Sequence, residues 1–334
     1  MGDAHRATRR RFVGGLAAMA VGVSGDLPAG AQGERTPGFP AKPIRIIVGF
    51  APGGGNDILA RLIAQKLTER LGQAALVENK PGAGAMIATE FVAKAAADGY
   101  TLLVGATGAM TINPAVYTKL GYDTLRDFVP IALIASFPLL LCVKADAPAK
   151  TVPELVAYSK ANPAQANYAS SSAAFQLATE LFKLKTGTAI EHVAYKSSGE
   201  MVTAVVGGEV LLALADAPAV AGHIKAGRIR ALATTASERM QDYPEVPTMA
   251  EAGVPDLELR LWSGLFAPAA TPEAIVEKLA KEVTQIIGLP EVRERLIGLG
   301  VDPGGGPRAA LAAQIAAEIP RWTQVAKAAN IKLD

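Results

Sequence analysis

The residues of this 334-residue chain best suited to handle a small molecule are a run of glycines and a run of serines. The first, Ala51-Pro52-Gly53-Gly54-Gly55-Asn56-Asp57, follows a β-branched run and precedes an amphipathic stretch. Such a turn aims backbone N–H groups and a helix N-terminus at one point, which favours a carboxylate or phosphate. It is not a P-loop, because no Gly-Lys-Ser/Thr follows, and its spacing fails the G-x-G-x-x-G dinucleotide pattern. Standing alone it also reads as a tight βα turn, with Asp57 as an acid of the first helical turn. A second glycine turn, Pro81-Gly82-Ala83-Gly84-Ala85, is equally unspecific. Ser170, Ser171 and Ser172 stand between a strand and a helix without a G-x-S-x-G elbow, so they are placed to donate hydrogen bonds and not to attack. His192 and His223 lie in no H-E-x-x-H or Cys/His cluster and read as core or surface residues. Asp98, Asp123 and Asp127 are scattered. Asp216 ends an apolar strand before Ala217-Pro218, where α/β sheets bind ligands. No catalytic or metal constellation is present, and no cofactor is called for.

These residues sit in alternating β-branched and amphipathic segments, the pattern of βα units and a largely parallel sheet. Ile44–Val48 reads as a buried strand and Asp57–Leu71 as a helix ended by Gly72. Strands are expected at Ala75–Val77, Thr101–Gly105, Asn167–Ala169, Glu191–Ala194, Val210–Ala215, Ala231–Thr234 and Leu257–Ala267. The apolar run Val129 to Val143, broken by Pro130, Ser136 and Pro138, reads as two strands, Ile131–Ala135 and Leu139–Val143. Helices are expected near 86–97, 173–185, 199–206 and 217–226. A further helix opens on the capping box Thr151-Val152-Pro153-Glu154. After Pro268 only helices are expected, the first opening on Thr271-Pro272.

Half of the residues are apolar and 19% charged, which suits two packed domains. The net charge of +2 sits in residues 1–31, which hold four Arg and two acids, so the remainder is balanced. No basic stripe or basic-aromatic interleaving supports a nucleic-acid partner. Residues 1–31 read as an export signal: Arg9-Arg10-Arg11-Phe12, a Gly- and Ala-rich apolar run to Val23, and Ala29-Gly30-Ala31 as the cleavage site. The paired Arg and the weakly apolar run fit the twin-arginine pathway. Beyond it no apolar run reaches the ~20 residues that span a bilayer. The single cysteine, Cys142, lies in an apolar run and makes no internal disulfide.

Taken in order, several segments resemble one family: Lys42-Pro43-Ile44-Arg45-Ile46-Ile47-Val48 with Phe50-Ala51-Pro52-Gly53-Gly54 and Asp57, then Val77-Glu78-Asn79-Lys80-Pro81-Gly82-Ala83-Gly84 and Asp98-Gly99-Tyr100-Thr101-Leu102-Leu103. Asn113-Pro114, Asn167-Tyr168-Ala169-Ser170-Ser171, Tyr195-Lys196, Gly207-Gly208, Ile224-Lys225-Ala226-Gly227, Arg230-Ala231-Leu232-Ala233, Val246-Pro247-Thr248 and Glu251-Ala252-Gly253 continue it. The chain is similar over nearly its whole mature length to the Bug family, the extracytoplasmic solute receptors of tripartite tricarboxylate transporters.

The resemblance implies an α/β two-lobe periplasmic-binding-protein fold, a type II-like Venus flytrap with two interlobe crossovers near Leu141–Lys144 and Trp262–Ala267. Lobe 1 would comprise residues 40–142 plus 265–334, and lobe 2 residues 143–264. It further implies a periplasmic, non-enzymatic receptor that closes on a small carboxylate and delivers it to membrane subunits; a monomer is expected. Phe50, Ala51, Pro52, Gly53, Gly54, Gly55, Asn56 and Asp57 would face Ala169, Ser170, Ser171 and Ser172 across the cleft, with Thr107, Thr111 and Asp216 at the ligand's distal end. Asp57 would either accept from a ligand donor or stabilise its helix. Two departures stand out. Many relatives read Ser-Gly-Asn-Gly-Ser-x-x-His where this chain has Ser171-Ser172-Ala173-Ala174-Phe175-Gln176, and Phe175 reads as a cleft or helix-core residue. Lys196-Ser197-Ser198-Gly199 replaces a common Lys-Gly-x-x and reads as a changed turn. The competing readings are an α/β enzyme that places a nucleotide on the glycine turn, and a receptor that feeds a signalling partner.

Overall fold

A computed structural model describes residues 38–328 and Lys332; the expected export segment, 1–31, lies outside the described residues. In chain order the elements are β1 (Ile44–Val48), α1 (Gly55–Leu71), β2 (Ala75–Asn79), α2 (Met86–Ala93), β3 (Thr101–Ala106), and the single turns α3 (Asn113–Val116) and α4 (Thr124–Asp127). The long β4 (Phe128–Lys144) leads to α5 (Val152–Ala161), β5 (Asn167–Ser170), α6 (Ala173–Thr186), β6 (Glu191–Ala194), α7 (Ser198–Gly207), β7 (Leu212–Asp216), α8 (Ala217–Lys225) and β8 (Ile229–Thr234). The chain then returns through β9 (Arg260–Pro268) to α9 (Glu273–Gly288), α10 (Pro290–Ile297), β10 (Asp302–Pro303) and α11 (Arg308–Ala328).

The strands run in the order β2-β1-β3-β9-β4-β7-β5-β6, with β8 and β10 also paired to β4. Parallel pairing is confined to the two ends, β2-β1-β3 and β7-β5-β6, while β4, β8, β9 and β10 pair antiparallel. The sheet is therefore less parallel than the βα alternation suggests. The reason is β4, one strand where two were expected. Pro130 lacks an N–H and sits at a register shift against β9, and Pro138 forms the last β4 pair with β9. A bulge and the end of a pairing are where a strand tolerates proline. The two-residue β10, paired to Ala135 and Ser136, is too short to show a sequence pattern.

Strand β4 changes partners where the sheet passes from its first half to its second. Phe128–Pro138 pairs with β9, and Leu139–Val143 pairs with β7. After β8 the chain re-enters the first half at Arg260, the start of β9. Each half carries its own helices around aliphatic strands. In α1, Leu59, Ala60, Ile63 and Leu67 are fully buried, and the helix stops at Gly72, whose φ of 67° is left-handed. The lone Cys142 is fully buried in β4, where burial pushes its thiol well above the usual range and leaves it inert.

Thr235 joins the two crossovers. Its hydroxyl accepts from Leu139 N–H at 2.8 Å and donates to Leu259 C=O at 2.7 Å, while its backbone bonds the same two residues at 2.8 and 3.0 Å. Thr235 is fully buried, so Thr235→Val keeps the shape but leaves one donor and one acceptor unpaired. The expected cost is about 2 kcal/mol, read as a lower urea midpoint with unchanged m-value. An unchanged midpoint would exclude Thr235 as the staple.

Candidate functional site

The facing loops are the starts of helices at the carboxyl ends of strands. Every α-helix begins with N–H groups that lack an intrahelical acceptor. At α7, Ser197 is the N-cap and its hydroxyl accepts from Glu200 N–H at 3.2 Å, while Glu200 reaches back to Lys196 N–H at 3.0 Å. At α8, the Asp216 carboxylate accepts from Ala219 N–H at 3.1 Å. Both are capped from within. At α1 the N-cap is Gly54, which has no side chain to offer, and the hydroxyl of Ser198 from the opposite half accepts from Gly55 N–H at 3.2 Å. At α6 the N-cap Ser172 makes no side-chain cap bond, and the first turn carries no acid.

The glycine turn is thus largely satisfied by protein. Ala51 N–H donates to Lys196 C=O at 3.1 Å, and Gly53 N–H donates to Asp57 at 3.0 Å. Phe50 is buried, Pro52 and Gly53 are exposed, and the half-buried Asn56 accepts from Ser263 at 2.7 Å. Asp57 is buried with four contacts: Gly53 N–H, Arg61 at 2.9 Å, Asn79 Nδ2 at 2.9 Å, and a second Arg61 contact at 2.9 Å. Burial acts to raise its pKa, but the bonds from Arg61, Gly53 and Asn79 outweigh it and hold the carboxyl below the usual range. Asn79 also donates to Phe50 C=O at 2.9 Å, so Asp57 and Asn79 together shape the turn.

The serine run divides three ways. Ser170 Oγ lies 2.5 Å from His192 Nε2, a ring that burial keeps toward its neutral form. Ser171 Oγ is buried and has no hydrogen-bond partner. Ser172 packs against the glycines of the first half: a Cβ on Gly108 would lie 3.3 Å from Ser172 Oγ, and one on Gly84 would lie 3.7 Å from Ser172 Cα. Ala169 is buried on β5, and Phe175 is a buried core residue of α6. Thr107 and Thr111 are spent elsewhere. Thr107 Oγ1 accepts from Trp262 N–H at 2.7 Å and donates to Trp262 C=O at 3.2 Å, while Thr111 Oγ1 lies 3.1 Å from Glu318.

Asp216 is 1% exposed, and burial pushes its carboxyl up, against the opposing pull of Ser198 and Ala219 N–H. It meets the glycine turn directly, because a Cβ on Gly55 would overlap its Oδ1. Gly199 closes in similarly, its added Cβ falling 2.8 Å from Gly53 C=O. The turn Lys196–Gly199 is therefore part of the facing surfaces, which sequence reading missed. Its signal was available: Ser197-x-x-Glu200 is a capping box directly after a strand.

Two parallel βα halves joined by crossover strands, with helix starts of one half facing those of the other, define a two-lobe α/β solute-binding protein. The model of the tripartite tricarboxylate transporter family receptor matches residues 59–331. The chain belongs to this family, which consists of solute-binding receptors and not enzymes. Protein BugT of Bordetella pertussis is 37% identical over 298 residues, 88% of this chain and 91% of that one. Among solved structures, Rpa4515 of R. palustris with adipate has a TM-score of 0.85 at 38% identity, covering 88% of this chain and 99% of that chain. MatC from Rhodopseudomonas palustris with bound malate has a TM-score of 0.83 at 34% identity, covering 86% and 99%.

Because the Asp57 pKa is depressed on folding, its stabilisation is complete above the ordinary carboxylate pKa of ~4 and is lost as pH falls through the lowered value. Asp57→Asn should cost about 2 kcal/mol at neutral pH and flatten the loss of stability on acidification below ~4, measured by urea unfolding across pH. A variant with the wild-type pH profile would show that Asp57 carries no such stabilisation.

Proposed function

We propose that this chain captures a small carboxylate between its lobes in the periplasm and presents it to the membrane subunits of a tripartite tricarboxylate transporter. Family membership supports the receptor role, and the relatives solved with adipate and malate support the ligand class. On this reading the lobes part at the two sheet handovers, Pro138/Leu139 and Leu259/Arg260, and the ligand, touching both lobes only in the shut form, stabilises that form about the hinge.

The observation that carries the reading is at the start of α6. A helix N-terminus favours an anion, and here it has no capping side chain while the adjacent Ser171 hydroxyl is buried without a partner. A ligand carboxylate accepting from Ser171, Ser172 and the first N–H groups of α6 satisfies all of them. Gly84 and Gly108 supply the opposing wall, and Phe50 covers the carbon skeleton. Asp57 acts as the organiser of the glycine turn, since its contacts are supplied by the protein. Ser170 supports the loop through His192.

Thermal-shift and calorimetric titration with adipate, malate, acetate and ATP test the class. A rise in melting temperature with a carboxylate and none with ATP is expected; the reverse would sink the receptor reading in favour of a nucleotide site. Ser171→Ala should weaken binding about tenfold, or about 1.4 kcal/mol, yet leave the free protein as stable or more so, because it removes an unpaired buried hydroxyl. Unchanged affinity with lowered stability would assign Ser171 to the core.

A further inference from the structure

The contact between Gly55, Ser198 and Asp216 needs no ligand. Gly55 N–H of lobe 1 donates to Ser198 Oγ of lobe 2 at 3.2 Å, and the Asp216 carboxylate, which accepts from Ala219 N–H at 3.1 Å, lies against Gly55, where an added Cβ would fall 2.3 Å from Oδ1. Among the described residues no salt bridge involves Asp216. The starts of α1, α7 and α8 therefore meet at one carboxylate. Residue size decides whether they can meet, since any side chain at Gly55 overlaps Asp216 and any at Gly199 presses on Gly53 C=O. Beside them, Ala51 N–H bonds Lys196 C=O across the same line.

We infer that Gly55, Ser198 and Asp216 form an interlobe latch that holds the lobes shut through protein contacts alone, positioning the serine loop against Gly84 and Gly108 before a ligand arrives. Asp216 and Gly55 then act on ligand affinity through closure and not by touching the ligand. The consequence for affinity rests on the receptor reading; the latch itself is read without ligand. A receptor pre-shut in this way binds more tightly than one whose competent form is rarely populated.

The test uses spin labels at the exposed Lys281 of lobe 1 and Ala164 of lobe 2, with distances measured by pulsed electron resonance in ligand-free protein; Cys142 is fully buried and stays unlabelled. The short, closed distance should dominate in the wild type. Gly55→Ala, a change that favours helix and leaves each lobe intact, should reduce that population at least tenfold. Ser198→Ala and Asp216→Ala should reduce it less. The double variant Gly55→Ala/Asp216→Ala should recover to the level of Asp216→Ala alone, because the overlap is gone. Circular dichroism confirms folding of each variant. Equal closed populations in wild type and Gly55→Ala overturn the latch, as does adipate binding by Gly55→Ala with wild-type affinity. A wild-type chain that shows the closed distance but binds no carboxylate supports the latch and sinks the receptor reading, so the two fail separately.

Discussion

The structure depends on how helix starts are satisfied where the two lobes meet. Unsatisfied N–H groups are costly when buried, so each start must find an acceptor in its own side chains, in the other lobe, or in a bound molecule. The starts of α7 and α8 use their own Ser197 and Asp216, and α1 borrows Ser198 from across the cleft. Helix α2 continues from the 3₁₀ turn Ala83–Ala85, whose C=O groups take its first N–H. The start of α6, with Ser172 uncapping and Ser171 unpartnered, is where a ligand anion has something to satisfy.

Close approach of the lobes follows from residue size. Gly54 and Gly55 of lobe 1 against Ser198 and Asp216, Gly199 of lobe 2 against Gly53, and Gly84 and Gly108 of lobe 1 against Ser172 let backbone meet backbone or a short polar side chain. The described residues accordingly form one compact unit. The hinge is equally economical: a single buried threonine, Thr235, ties Leu139 to Leu259 where the two strands change lobe.

Much of this was legible in the sequence because it is local. The strand at Ile44–Val48, the helix ended by Gly72 and the Thr151–Glu154 capping box follow from periodicity and cap chemistry. What was not legible is tertiary. Pro130 and Pro138 argued for two strands, yet β4 is continuous because a bulge and a pairing boundary fall on those residues. The glycine turn read as a free anion cradle, but its N–H groups at Ala51, Gly53 and Gly55 are taken by Lys196, Asp57 and Ser198, of which two come from across the cleft. Thr107 and Thr111 carry the right hydroxyls, but β9 and α11 claim them. Ser198 was overlooked since its role exists only when two distant segments meet.

The central claim is that a ligand carboxylate binds at the start of α6 while α1 stays satisfied by lobe 2. A crystal structure of the protein with adipate tests it most directly. The account predicts carboxylate oxygens about 2.5–3.0 Å from Ser171 or Ser172 and the first N–H groups of α6, with Gly55 still bonded to Ser198. A carboxylate seated on the N–H groups of Gly53 to Gly55, with Ser198 displaced, would contradict it.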